Sequence, residues 1–153
     1  MARNSLTDDD LSTLIRLTDE AAKAYIRGDV EHYLTLIRHA DDYTLMAPSG
    51  GEIRRGFDSS EENLEATRRM FQWGEASLEV AEAYSSGDLA VLVGVEYQHG
   101  EVGGLPDQDW SLRVTMVFRR EDDRWRLAHR HADPLVHEIG PQQLSALAAG
   151  RGL

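Results

Sequence analysis

Residues 124–134 read Arg124-Trp125-Arg126-Leu127-Ala128-His129-Arg130-His131-Ala132-Asp133-Pro134. The run has no internal glycine and closes on proline, which suits a strand with a definite stop. Period two sorts it into two faces. One carries Trp125, Leu127, His129, His131 and Asp133, and the other carries Arg126, Ala128, Arg130 and Ala132. Both faces are mixed, so the hairpin at Glu121-Asp122-Asp123-Arg124 has to set the register, and a slip of one residue inverts the answer. A three-residue loop places Ala128, Arg130 and Ala132 inside, beside Val114, Met116 and Phe118. A two- or four-residue loop places the histidines inside. The turn holds no glycine to identify its type, and both registers stay open at this point.

Outward from there the alternation continues. The strand at about 110–120 has Leu112, Val114, Met116 and Phe118 on one face and Arg113, Thr115, Val117 and Arg119 on the other. In the strand at about 89–99, Leu89, Val91, Val93, Val95 and Tyr97 form the more apolar row and are expected to face the helices. Gly94, Glu96 and Gln98 are expected to face away. A strand at about 76–84 precedes the turn Ser85-Ser86-Gly87-Asp88, and a glycine-rich loop spans 100–108. Upstream the period is helical. Thr7 with Asp8, Asp9 and Asp10 starts a helix that Gly28 ends, and Asp29 caps a second. Short strands follow at 41–48 and 52–55. Ser59 and Glu62 have capping-box spacing for a third helix, expected to end near Gly74 with Trp73 closing it on the sheet. Pro141 starts a short helix over about 141–149. Helices first and an antiparallel meander after define an α+β domain. We expect one domain over 1–153 with its core at about 7–136.

Composition excludes several functions. The chain has 153 residues, 41% of them hydrophobic, and no cysteine, so disulfides, thiolate chemistry and cysteine-bound zinc are absent. A net charge of −11 disfavours nucleic acid and anionic membranes as partners. No apolar run has the length of a membrane span, and residues 1–10 lack a signal-peptide core. A cytoplasmic location is expected.

The order of these elements, with Gly28-Asp29, Ala40-Asp41-Asp42 and Trp125 to His131 at their spacing, resembles the SnoaL-like branch of the nuclear transport factor 2-like superfamily. The resemblance runs from the first helix to about Val136. It implies a cone in which three helices of the N-terminal half lean on the concave face of a strongly bent mixed or antiparallel sheet. A small-molecule pocket opens at the wide end of the cone, no cofactor is used, and a homodimer forms through the outer sheet face. Ketosteroid isomerases of this fold use a helix tyrosine, an aspartate before the first-strand proline and an acid on the penultimate strand. The matching positions here are Ala21, Ala47 and Met116 (Thr115 if the turn differs by one). Proton abstraction beside a carbonyl needs a base and an enolate holder, so that mechanism is not expected.

The resemblance also favours the register with Ala128, Arg130 and Ala132 inward. Arg130 then becomes the charged group of a pocket lined by Tyr25, Tyr43, Ala47, Tyr97, Val114 and Met116, an anchor for a small, partly apolar organic anion. Kinase II association domains of this fold likewise place arginines in the equivalent cavity. If the domain is an enzyme, isomerisation, cyclisation or dehydration is the reaction class implied, with Tyr25 or a histidine for proton transfer. A non-catalytic dimerisation or accessory domain is the alternative. His129-x-His131-x-Asp133 has ligand spacing for a metal with His99 as a fourth group. One strand rarely supplies three ligands in good geometry, and no metal is expected. His129, His131, Arg113 and Thr115 are expected to form a polar patch at the dimer interface.

Overall fold

The computed structural model describes residues 8–151. Thr7, the expected first cap, lies outside them. Helix α1 spans Asp8–Ile26, with Asp8, Asp9 and Asp10 in the first turn, where the helix dipole favours acids. Its buried stripe is Leu14, Thr18, Ala21, Ala22, Ala24 and Ile26. Gly28 follows at φ 75°, and a Cβ there would lie 2.1 Å from the carbonyl oxygen of Phe71. Only glycine serves, both for the left-handed cap and for that close approach. Asp29 then accepts the His32 N–H at 3.2 Å and caps α2, Val30–Leu36.

Strand β1 is His39–Met46 and the short β2 is Arg54–Arg55. Helix α3, Glu61–Met70, starts one residue later than the capping-box spacing predicts. Ser60 is the cap and accepts the Asn63 N–H at 3.2 Å, while Asp58 takes the Ser60 N–H. The helix also ends early. Strand β3 begins at Phe71 and runs to Ser86, so Trp73 and Gly74 are strand residues, Trp73 being 42% exposed. A Cβ on Gly74 would sit 2.4 Å from the Ile26 side chain. This glycine lets the end of α1 pack on the sheet and does not stop a helix.

The remaining strands are β4 (Leu89–Val102), β5 (Gln108–Asp109), β6 (Leu112–Glu121) and β7 (Arg124–Pro134), before α4 (Pro141–Ala148). The sheet order is β2-β1-β7-β6-β4-β3, with β5 on β4. β1 runs parallel to β7 and every other pairing is antiparallel. Irregularities within β3 and β7, and between His39 and Thr44 of β1, bend the ladder. The result is the α+β cone that the resemblance implies.

The β6–β7 register resolves the open question through a feature that neither reading included. Glu121 pairs with Arg124, so the loop is two residues long, and Asp122 and Asp123 adopt φ 51° and 62°. Both central residues are left-handed, as a type I′ hairpin requires, and aspartate tolerates that conformation in place of glycine. Taken alone, this loop would turn the histidines inward. A β-bulge prevents it: Phe118 pairs with Leu127 but Val117 pairs with His129, leaving Ala128 unpaired. Leu127 and Ala128 are therefore both buried, and beyond them Arg130 and Ala132 follow Ala128 inward. Trp125 packs against the main core with the Arg120 guanidinium 5.6 Å over its ring. The register with Ala128, Arg130 and Ala132 inward would by strict alternation put Trp125 outside, and the bulge is what brings it to the core.

The face assignment of β4 is also corrected. Ala90, Leu92, Gly94 and Glu96 pair with Phe118, Met116, Val114 and Leu112 and are the inward row. Leu89 and Tyr97 are exposed, and Val91, Val93 and Val95 are half-buried on the outer side. Both rows are largely apolar, so hydrophobicity alone selects the bulkier one; the small residues Ala90 and Gly94 face inward, and a Cβ on Gly94 would lie 2.2 Å from the Glu79 carbonyl oxygen of β3.

Candidate functional site

At the centre of the inner face lies an ion pair between Arg130 and Glu96. Arg130 projects from β7 toward β4, where its two terminal nitrogens donate to the Glu96 carboxylate at 2.7 and 2.9 Å. The Glu96 side chain is 5% exposed and that of Arg130 20%. The same guanidinium lies 3.5 Å from the Met116 sulfur. Burial works against the arginine's charge, but the Glu96 carboxylate outweighs it and holds the guanidinium above its ordinary range. Its neighbours Leu92, Val114, Met116 and Ala132 are buried and apolar.

Around the pair stands an aromatic group drawn from α1, α2, β1, β3 and the loop before α3. Tyr25 of α1 meets Tyr33 of α2 edge-on at 5.1 Å and Phe71 at 4.9 Å. The Tyr33 hydroxyl lies 3.1 Å from His39 Nε2. The His39 ring stacks on Phe57 at 3.8 Å and meets Tyr43 at 4.7 Å. Burial pushes all three phenols up, with Arg130 partly opposing the shift in each; Tyr43 reaches about 12. Desolvation pulls His39 down to about 4, so its imidazole is neutral at ordinary pH. The arrangement can accept or donate hydrogen bonds through phenols and one neutral imidazole. Its strongest charge is already satisfied.

The expected site residues divide accordingly. Arg130, Tyr25, Tyr43, Met116 and Val114 lie on the inner side. Tyr97 is 45% exposed on the opposite face, because the β4 faces are reversed from expectation. Ala47 sits past the end of β1 in a turn, where its carbonyl accepts the Gly50 N–H at 2.9 Å. Glu96, Tyr33 and His39 escape the sequence reading. Glu96 had one signal: a lone carboxylate within the even row of β4, which reads as solvent-facing only when the row is assigned outward.

Arg113, Thr115, His129 and His131 share the outer face. His129 Nδ1 lies 2.8 Å from the Thr44 hydroxyl, and His131 Nε2 3.1 Å from Asp133. His99 lies between Asp107 at 2.9 Å and Glu75 at 3.3 Å. The three histidines face different partners, and no group of three or more metal-ligating side chains converges among the described residues.

A cleft of about 550 Å3 opens where α2, the start of β1 and the loop before α3 meet. Its walls include Leu34, Ile37, Phe57, Arg38, Arg126 and His39, and neither Arg130 nor Glu96 lines it. His39 therefore stands between the cleft and the phenols behind it.

Such a cone, with a polar cluster on the inner sheet face, defines the nuclear transport factor 2-like class. The sequence matches the SnoaL-like domain family over residues 15–136, and the chain belongs to that family. None of the curated proteins matches it. Among solved structures it is similar to a Streptomyces avermitilis protein of the NTF2-like family proposed to be a dehydratase, at 22% identity. That match covers 84% of this chain and 96% of the other, with TM-score 0.62. An NTF2-like protein of unknown function from Shewanella oneidensis is 21% identical (80% and 98% covered, TM-score 0.60). The S. rosetta CaMKII hub is 17% identical (80% and 95%, TM-score 0.60). At these identities the likeness establishes the fold. Among the described residues, no helix is long and apolar enough to cross a membrane.

Proposed function

We propose that this chain is a cytoplasmic, cofactor-independent domain that binds a small, partly apolar organic molecule on the inner face of its sheet. The supporting observation is the bidentate Arg130–Glu96 pair, set among apolar side chains and three phenols. Burying two charges costs several kcal/mol each by order of magnitude, and packed apolar residues would often be at least as stable. A buried pair of charges among apolar side chains and phenols of raised pKa is the pattern of a functional site. Because Glu96 occupies both terminal nitrogens, an anion would have to displace it. A hydroxyl or carbonyl group meets no such barrier and can use the phenols. His39 with Tyr33 is a neutral proton acceptor beside a proton donor, the equipment that an isomerisation or dehydration would require.

Thermal-shift screening with aromatic ketones, alcohols and keto acids tests this reading. At least one neutral compound is expected to stabilise the wild type, and Tyr33→Phe together with Arg130→Ala is expected to remove the shift. A panel that shifts nothing, or a shift indifferent to both changes, overturns it.

The second reading is a homodimerisation module that uses the outer sheet face. It is favoured by the half-buried row Val91, Val93, Val95 and Val117, beside exposed Tyr97 and Tyr84. Arg113, Thr115, His129 and His131 would form its polar rim. Sedimentation of Val93→Asp as a monomer, against a dimeric wild type, is its expected signature; a wild-type monomer rules it out.

A further inference from the structure

We propose that the cleft bounded by Arg38, Arg126 and Phe57 is a separate binding site for a small organic monocarboxylate. Its volume of about 550 Å3 falls within the span of small-molecule sites, about 300–1,000 Å3. One wall is apolar, from Leu34, Ile37 and Phe57. The other carries two guanidinium groups. Arg38 is exposed and has no ion pair among the described residues. Arg126 meets Glu121 through Nε at 3.4 Å, and its terminal nitrogens make no hydrogen bond among the described residues. Other surface arginines are also unpaired; these two stand out because they share a cleft with an apolar wall. The planar fork of arginine matches a carboxylate. Phe57 stacks on His39 at 3.8 Å and offers an apolar surface for the ligand body.

Asp41 also lines the cleft. Its carboxylate opposes a second negative charge, in a chain whose net charge is already −11. The site therefore suits a monoanion and disfavours the dianion that inorganic phosphate increasingly becomes above neutral pH. The anion-binding role expected at Arg130 thus falls here, on arginines that no buried carboxylate occupies. This proposal does not rest on binding at the inner face, although His39 borders both sites.

Titration of the full 15N-labelled chain with phenylacetate tests the proposal, with inorganic phosphate as the comparison probe. The amides of Asp41, Gly56 and Ser59 report on the cleft, and the Met116 methyl signal reports on the inner face. Phenylacetate is expected to move the cleft amides saturably and leave the Met116 methyl in place. Arg38→Gln and Arg126→Gln are each expected to weaken it about tenfold, with Arg126→Lys retaining part of the affinity. Arg38 is exposed, so Arg38→Gln remains a valid test even if changes in β7 impair folding. Cleft amides that do not saturate, a response unchanged in Arg38→Gln, or phosphate binding as tightly as phenylacetate would each overturn the proposal.

Discussion

The two faces of β4, β6 and β7 are built from the same strands and spend charge in opposite ways. The centre of the inner face holds the Arg130–Glu96 pair, closed on itself and surrounded by Leu92, Val114, Met116 and Ala132. The outer face has more titratable groups, including Arg113, His129, His131 and His99, all at least partly exposed to water. Solvent makes the outer groups individually inexpensive. The inner pair is where one lost partner is felt, and that contrast separates a polar site from a polar surface.

Four experiments can break or sharpen the contrast. The largest effect is expected from Arg130→Ala, which leaves Glu96 buried without a counter-charge and should lower unfolding free energy by about 3–5 kcal/mol. Replacing both partners, Arg130→Met with Glu96→Leu, should stay within about 1 kcal/mol of wild type. Urea unfolding measures both, and Arg113→Ala on the outer face should change stability by less than about 0.5 kcal/mol. A cheap Arg130→Ala would mean that both faces are solvated alike. Next, Leu92→Ala should cost about 3 kcal/mol and its outward neighbour Val93→Ala well under half of that. Equal costs would indicate that something covers the outer face.

Two histidines supply the smaller effects, with opposite signs. Burial lowers His39 to about 4 from its ordinary value near 6.5. The unfolded chain therefore takes up the proton first, and the stability linked to neutral His39 is lost as pH falls from about 6.5 toward 4. His39→Phe should flatten that part of the stability profile. His99 is raised, first by Asp107 and then by Glu75. Its contribution is present at low pH and lost as pH rises through its folded value. His99→Gln should remove a smaller slope of the opposite sign, damped by salt because the site is exposed. Profiles with the same sign for both would contradict the assignment of the two faces.

Much of the fold was legible because local chemistry agreed with the global arrangement. The Gly28-Asp29 cap, the period-two strands and the Leu112-to-Phe118 row all read correctly. Arg130 did face inward, but the reasoning that places it there missed the mechanism. A two-residue aspartate hairpin and a bulge at Ala128 act together, and a bulge has no signature in alternation. Helix α3 and Gly74 were misread because a glycine that admits Ile26 looks like one that ends a helix. The β4 faces were misread because both rows are apolar, so the small inward residues Ala90 and Gly94 lost to larger ones that face outward. That single reversal hid Glu96 and promoted Tyr97. Tyr33 and His39 escaped because their partnership joins α2 to the irregular start of β1, a juxtaposition that appears only in three dimensions.

The most direct test of the account follows the Met116 methyl signal, next to the Arg130 guanidinium, during titration with acetophenone and with benzoylformate. In the wild type acetophenone should move that signal and benzoylformate should not, because Glu96 already occupies the guanidinium. In Glu96→Gln the order should reverse, with the freed charge taking the carboxylate. Benzoylformate moving the wild-type signal as strongly as that of Glu96→Gln would contradict a closed pair at the centre of the inner face.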